Sequence, residues 1–237
     1  MSDITVRGLT LDEMPQAGAL LGRAMRDNPL HVRAVGPDPA RREAVFSGIF
    51  GVLLATLHAK GTVLGAFQDG KLAGVCALVP PGRCQPRGRE KLRLIRAVMA
   101  HASLGATLNA LRWLGAWASH DPHDQPHWHL GPVGVERELQ GRGIGGALLG
   151  AFCERVDAQD GMAYLETDRE ANLPFYEKFT FKTVAQAKVI GVPNWFMQRP
   201  ARRDAARWSR PPAAEFNLVL PKAEPRPKQS GPDSPGP

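Results

Sequence analysis

A length of 237 residues gives room for one sizeable domain, and 43% apolar with 22% charged residues is the composition of an ordinary globular protein. No apolar run approaches the roughly 20 residues needed to cross a bilayer, and the N-terminal residues show no basic-then-apolar leader, so the reading is a cytoplasmic protein with no membrane partner. A net charge of +7 invites a nucleic-acid reading, but the basic segments 83–96 and 199–228 interleave no set of aromatic residues for stacking, which argues against nucleic acid. Cys76, Cys84 and Cys153 are odd in number and form no CxxC pair, so they read as reduced thiols, neither a disulfide framework nor a zinc site.

Along the chain, residues 4–7 alternate like a strand, and Thr10-Leu11-Asp12-Glu13 is a capping box that predicts a helix ending before Asn28-Pro29. Asp38-Pro39 supplies an N-cap and first-turn proline for a second helix, whose apolar stripe runs through Val45, Phe46, Ile49, Leu53, Leu54 and Leu57, with Gly61 closing it. Two apolar runs, 63–68 and 72–79, flank Asp69-Gly70, a strong hairpin signal because both central residues of that turn need positive φ. Residues 92–117 predict a long amphipathic helix, broken near Gly105, with Trp113 and Trp117 on one side.

A strand over 129–135 then runs into a glycine loop and a helix over 143–158 with Ile144, Leu148, Phe152 and Val156 as its buried stripe. A strand at 162–167, a short helix at 172–178 and strands at 181–189 and 194–198 complete the pattern, which is α/β with a sheet of mixed direction. Residues 1–199 therefore read as one domain with a helical insertion at about 84–119, and 200–237 as a Pro-rich, largely disordered tail whose run 216–220 could dock as an edge strand.

The loop Gln140-Gly141-Arg142-Gly143-Ile144-Gly145-Gly146 lies between a strand end and a helix start, where amides converge and the helix dipole adds positive charge: an anion cradle. A nucleotide P-loop would need Lys and then Ser or Thr where Gly146-Ala147 stand. Gly141, Gly143 and Gly146 also satisfy GxGxxG, with Glu166 or Asp168 near the distance of a ribose-binding acid, but the preceding strand contains Gly131-Pro132, which a central parallel strand tolerates poorly. Coenzyme A is the third ligand such a cradle could take.

Gln140, Gly143 and Gly145 match the signature of the GNAT superfamily, which is Gln or Arg, two residues, Gly, one residue, then Gly or Ala. Leu130-Gly131-Pro132-Val133-Gly134-Val135 is similar to that family's bulged fourth strand, and Asn172-Leu173-Pro174-Phe175-Tyr176-Glu177-Lys178-Phe179-Thr180-Phe181 is similar to its Asn…Tyr…Gly-Phe block. The resemblance covers 129–181 closely and implies a GNAT-like mixed, mostly antiparallel sheet with splayed central strands flanked by helices. It further implies acetyl-CoA as co-substrate, its pyrophosphate on Gln140, Gly141, Arg142, Gly143, Ile144, Gly145 and Gly146, its pantetheine arm along Val133, Gly134 and Val135, and a hydrogen bond from Asn172. Val133 and Val135 also suit plain core packing, and Asn172 a helix N-cap.

Acyl transfer to an amine needs a proton donor for the departing thiolate and an acceptor for the amine proton. Tyr176 matches the family's donor, and a packed edge tyrosine is its plainer reading. His129, opening the strand beside the acetyl site, is the candidate base, with Glu166 second and water chains the plainer alternative. His120, His123, Asp124, His127 and His129 crowd one segment, but Pro122 and Pro126 break it and no helix-borne ligand pair appears, so it reads as a polar loop without a metal. The stretch Pro126-His127-Trp128-His129-Leu130 resembles the puromycin-type branch, which implies a small-molecule amine acceptor. A protein or peptide acetyltransferase and a non-catalytic acyl-CoA sensor remain alternatives, and a homodimer stays open. One departure stands out: Thr180 occupies the position where the family usually has Gly in a positive-φ turn, at a cost of about 1 kcal/mol.

Overall fold

A computed structural model describes residues 3–204. The tail beyond 204, including the run 216–220, lies outside the described residues. The elements are β1 (Ile4–Gly8), α1 (Met14–Met25), α2 (Pro29–Val35), α3 (Pro39–His58), β2 (Thr62–Gln68), β3 (Lys71–Val79), α4 (Gly88–His101) and α5 (Leu104–His120). They continue with β4 (His127–Val135), α6 (Ile144–Asp157), β5 (Met162–Thr167), α7 (Leu173–Glu177), β6 (Lys182–Val189) and β7 (Val192–Arg199).

The seven strands form one sheet in the order β1-β2-β3-β4-β5-β7-β6. Every neighbouring pair is antiparallel except β4 and β5. One face packs on α1, α3 and Trp113 of α5, and the other on α6 and the aromatic residues around α7. Among the described residues no helix is long and apolar enough to cross a membrane.

Short-range chemistry accounts for most of these elements. The Thr10–Glu13 capping box forms, opening α1 through one 3-10 turn. Asp38 accepts from the amides of Ala40 and Arg41 at the start of α3. Asp69 and Gly70 have φ of 50° and 75°, as the tight β2–β3 turn requires. The second hairpin, β6–β7, turns on Ile190 and Gly191, both at positive φ, and carries no such signal because isoleucine is a poor residue there.

Several boundaries differ from the sequence reading. Residues after Asn28-Pro29 form the extra helix α2, held by Asp168 Oδ2, which accepts from the Leu30 amide at 2.7 Å. The helix α3 ends at His58, before Gly61. The long helix is two, parted at Ala102-Ser103 rather than Gly105, because Ser103 takes the N-cap position of α5 and accepts from Ala106. α1 and α3 pack closely through small residues: a Cβ on Gly18 would lie 2.4 Å from the Gly51 nitrogen.

Candidate active site

The central strands part where the site lies. β4 and β5 pair only through His127–Met162, Trp128–Ala163 and His129–Tyr164. Beyond His129, β4 keeps its partners on β3, and a register shift between Cys76 and Leu78 falls opposite Gly131 and Pro132. The bulge steers β4 away, leaving the β5-facing backbone edge of Val133, Gly134 and Val135 without a strand partner.

The gap leads to the glycine loop. Gly141 and Gly143 have φ of 79° and 87°, and Gly143 caps α6. From Gly141 to Gly146 the amides find no acceptor among the described residues; the first helical bond of α6 is from Ala147 to the Gly143 carbonyl. A Cβ at Gly141, Gly143 or Gly146 would meet nothing within 4 Å, so the cradle is open. Gln140 Nε2 donates to the Val135 carbonyl at 3.1 Å and braces the loop against β4. Arg142 is exposed at the rim, and Ile144 anchors the helix start in the core. Converging free amides at a helix N-terminus fit a pyrophosphate, and the free strand edge fits an extended amide-bearing arm.

Tyr176, only 8% exposed, stands on α7 against Phe175 and Phe181, at ring separations of 5.4 and 6.2 Å. Burial, with smaller contributions from Cys76 and Asp168, raises its pKa and keeps the phenol neutral. Its placement comes from a helix-ending motif: Phe181 N–H donates to the Tyr176 carbonyl at 3.3 Å and Thr180 N–H to that of Glu177 at 2.9 Å. Thr180 therefore sits at φ 65°, the strained position expected of it. Asn172 lies at the start of α7, but its side chain makes no cap bond.

Side-chain alternation puts other groups on the opposite face. Trp128 and Leu130 pack toward α6, so His127 and His129 point the other way, with Tyr164. Glu166 shares the Tyr164 face, and its Oε2 lies 3.1 Å from His129 Nε2. Burial opposes the charged ring of His129, but the Glu166 charge, with smaller contributions from its hydrogen bond to Glu166 and from nearby Cys84, outweighs it and raises its pKa to about 10. For His127, burial is likewise outweighed, here by Asp121, and the pKa rises to about 9. Cys84 joins this group: burial would raise its thiol, yet His127 and His129 bring it down to about 7. The crowded histidine segment thus divides. His120 stacks on Phe196 at 4.1 Å and His123 reaches the Ala118 carbonyl, while His127 and His129 meet Cys84 and Asp121. Cys84 was not legible as a partner of these histidines, because the two inserted helices separate it from them in the chain, and Asp121, though only six residues before His127, stands in no recognisable ligand spacing with it.

The family model described as the Acetyltransferase (GNAT) family matches residues 34–181, well over half the chain. The chain belongs to the GNAT acetyltransferase family. Acetyl-CoA is this family's acetyl donor, and the residues of the loop and the parted strand fit it.

Solved structures share the fold over most of the chain. A Corynebacterium glutamicum protein described as histone acetyltransferase HPA2 and related acetyltransferase aligns with TM-score 0.63 and 22% identity, covering 85% of this chain and 97% of that one. The Drosophila melanogaster polyamine N-acetyltransferase aligns with TM-score 0.57 and 15% identity over 84% of this chain and all of its own. The ribosomal-protein-S18-alanine N-acetyltransferase of Escherichia coli aligns with TM-score 0.50 and 14% identity over 84% and 94%. Polyamine and protein acetyltransferases share this architecture, so the acceptor must be argued from the site.

Proposed function

We propose that this GNAT enzyme transfers acetyl to the primary amine of a small, cationic molecule, with acetyl-CoA and acceptor bound together. The observation that carries this reading is the pair of groups on opposite faces of the parted strands, Tyr176 toward α7 and His129–Glu166 toward the inserted helices. Acetyl-CoA supplies the acetyl group already activated as a thioester. The amides of 141–146 would hold its pyrophosphate, the free edge of Val133, Gly134 and Val135 its pantetheine arm, and Asn172, whose side chain is uncommitted, would reach the same arm.

Tyr176, kept neutral by burial, gives its proton to the departing sulfur in this reading. On the amine side the acceptor in this reading is Glu166, directly or through a water. His129 donates from Nε2 to the carboxylate and holds it in place. A carboxylate beside the transfer point also favours a cationic amine, in keeping with the polyamine substrate class named for the Drosophila structure.

The insertion argues for a small acceptor. α5 packs against α2 and β6, and Trp117 Nε1 donates to Asn194 Oδ1 at 2.9 Å, so this face is roofed rather than left as an open peptide groove. The test is thiol release from acetyl-CoA with agmatine, spermidine and a peptide bearing a free N-terminus. A small amine should stimulate turnover, and Tyr176→Phe should lower kcat by about 10²-fold or more while acetyl-CoA still raises the melting temperature. Preference for the peptide would overturn the acceptor class, and unchanged kcat in Tyr176→Phe would remove the acid.

A further inference from the structure

We infer that Cys84, Asp121, His127 and His129 form a structural zinc site that ties both ends of the helical insertion to the start of β4. One donor atom from each lies within 4.8 Å of all the others. Zinc bonds of about 2.0–2.3 Å in a tetrahedron set their donors roughly 3.3–3.8 Å apart. Two of the separations already fall near that range: His127 Nε2 is 3.8 Å from Cys84 Sγ and 3.2 Å from Asp121 Oδ1.

The outer contacts are those of metal ligands. A histidine that binds a metal through one nitrogen characteristically donates from the other to a carboxylate or carbonyl. His127 Nδ1 is 2.8 Å from the Gln125 carbonyl, which leaves Nε2 facing the cluster. His129 Nε2 is engaged by Glu166, which leaves Nδ1, buried and without a hydrogen-bond partner. Gln85 holds Asp121 Oδ2, and Oδ1 is buried, accepts no hydrogen bond and belongs to a side chain only 1% exposed. Both histidines and the aspartate therefore have one atom held from outside and one turned inward, and Cys84 offers its single sulfur. Orphaned buried acceptors are costly, a penalty that a cation at the centre removes.

Sulfur, imidazole and a single carboxylate suit a borderline cation such as Zn²⁺ rather than Mg²⁺ or Ca²⁺, which prefer all-oxygen shells. Four protein donors leave no open position, so the role is structural. Placement in the chain agrees: Cys84 precedes α4, Asp121 follows α5, and the two histidines begin β4. The sequence reading of His127 and His129 as part of a polar loop without a metal, and of Cys84 as a plain reduced thiol, rests on local spacing, which cannot show a set that includes a residue from before α4.

The test uses the full chain, purified without a histidine tag. Elemental analysis should find about one zinc per chain, and Co²⁺ exchanged into it should show the intense visible bands of tetrahedral coordination with a near-ultraviolet thiolate-to-cobalt band. Cys84→Ala should abolish the thiolate band, and His127→Gln should weaken zinc binding by about tenfold or more in a chelator competition. Should either variant fail to fold, the wild-type cobalt spectrum decides alone. Zinc well below one per chain after growth in zinc, or bound cobalt lacking the thiolate band, would overturn the proposal.

Discussion

His129 Nε2 lies 3.1 Å from Glu166 Oε2, the histidine on β4 and the glutamate on β5, at the point where the two strands separate. The pair can form only because β4 and β5 run parallel and in register through His129 and Tyr164, which carries Glu166 to the same face one pleat further on. Replacing Glu166 with Gln keeps the shape and removes the charge. If Glu166 accepts the amine proton, Glu166→Gln lowers kcat by about 10²-fold or more. The KM for acetyl-CoA should barely move, since the cradle is on the loop. Steady-state kinetics with a small amine checks this, and a variant that loses only acetyl-CoA affinity would falsify the role.

Thr180→Gly should stabilise the protein. Thr180 adopts φ 65° to end α7, a conformation that costs a residue with a Cβ about 1 kcal/mol. Glycine removes that strain while the Phe181-to-Tyr176 bond stays in place. Urea unfolding should show a gain of about 1 kcal/mol less a few tenths for the added freedom of the unfolded chain. A loss of stability would mean that the Thr180 hydroxyl, 2.7 Å from the Phe179 carbonyl, matters more than the strain.

His31 should make stability fall with acid. Its ring stacks on Phe46 with centroids 3.7 Å apart and is fully enclosed. Burial, helped by the nearby charge of Arg42 and opposed by a backbone contact at Met25, lowers its pKa to about 3. Unfolded, the ring takes up a proton near pH 6.5, so between about pH 6.5 and 3 the unfolded chain binds more protons and gains on the native state as pH falls. The contribution is at most about 1.4 kcal/mol per pH unit. His31→Phe should therefore close on or overtake the wild type by up to about 2 kcal/mol between pH 7.5 and 5 in denaturant melts. A constant difference across that interval would remove the effect.

Arg199 and Asp157 bind each other bidentately, at 2.7 and 2.9 Å, with side chains only 11% and 12% exposed. Arg199 Nε also donates to the Phe179 carbonyl at 3.1 Å, so the pair ties the end of β7 to α6 and to the turn that follows Tyr176. Arg199→Met leaves the aspartate with only the largely exposed Arg202, 3.2 Å away, and should cost about 3 kcal/mol. Changing both residues, Arg199→Met with Asp157→Leu, should recover much of that loss, because a buried pair replaced whole is often near neutral. Additive losses in the double variant would contradict this account.

The features readable from the sequence are those that neighbours in the chain decide. Asp69-Gly70, the caps at Thr10 and Asp38, the glycine loop before α6 and the stripe of Ile144, Leu148, Phe152 and Val156 depend on contacts a few residues apart, and they form as expected. Even the strain at Thr180 was visible, because a helix-ending turn constrains φ locally. What needed the tertiary structure was every pairing across the sheet or the insertion. Asp168, just after β5, holds the start of α2, and His129 meets Glu166 because β5 lies parallel to β4. Cys84 reaches His127 and His129 only after α4 and α5 have folded back on the sheet. Sequence patterns carry the period of each segment but not which segments become neighbours, since burial fixes that for the whole chain at once.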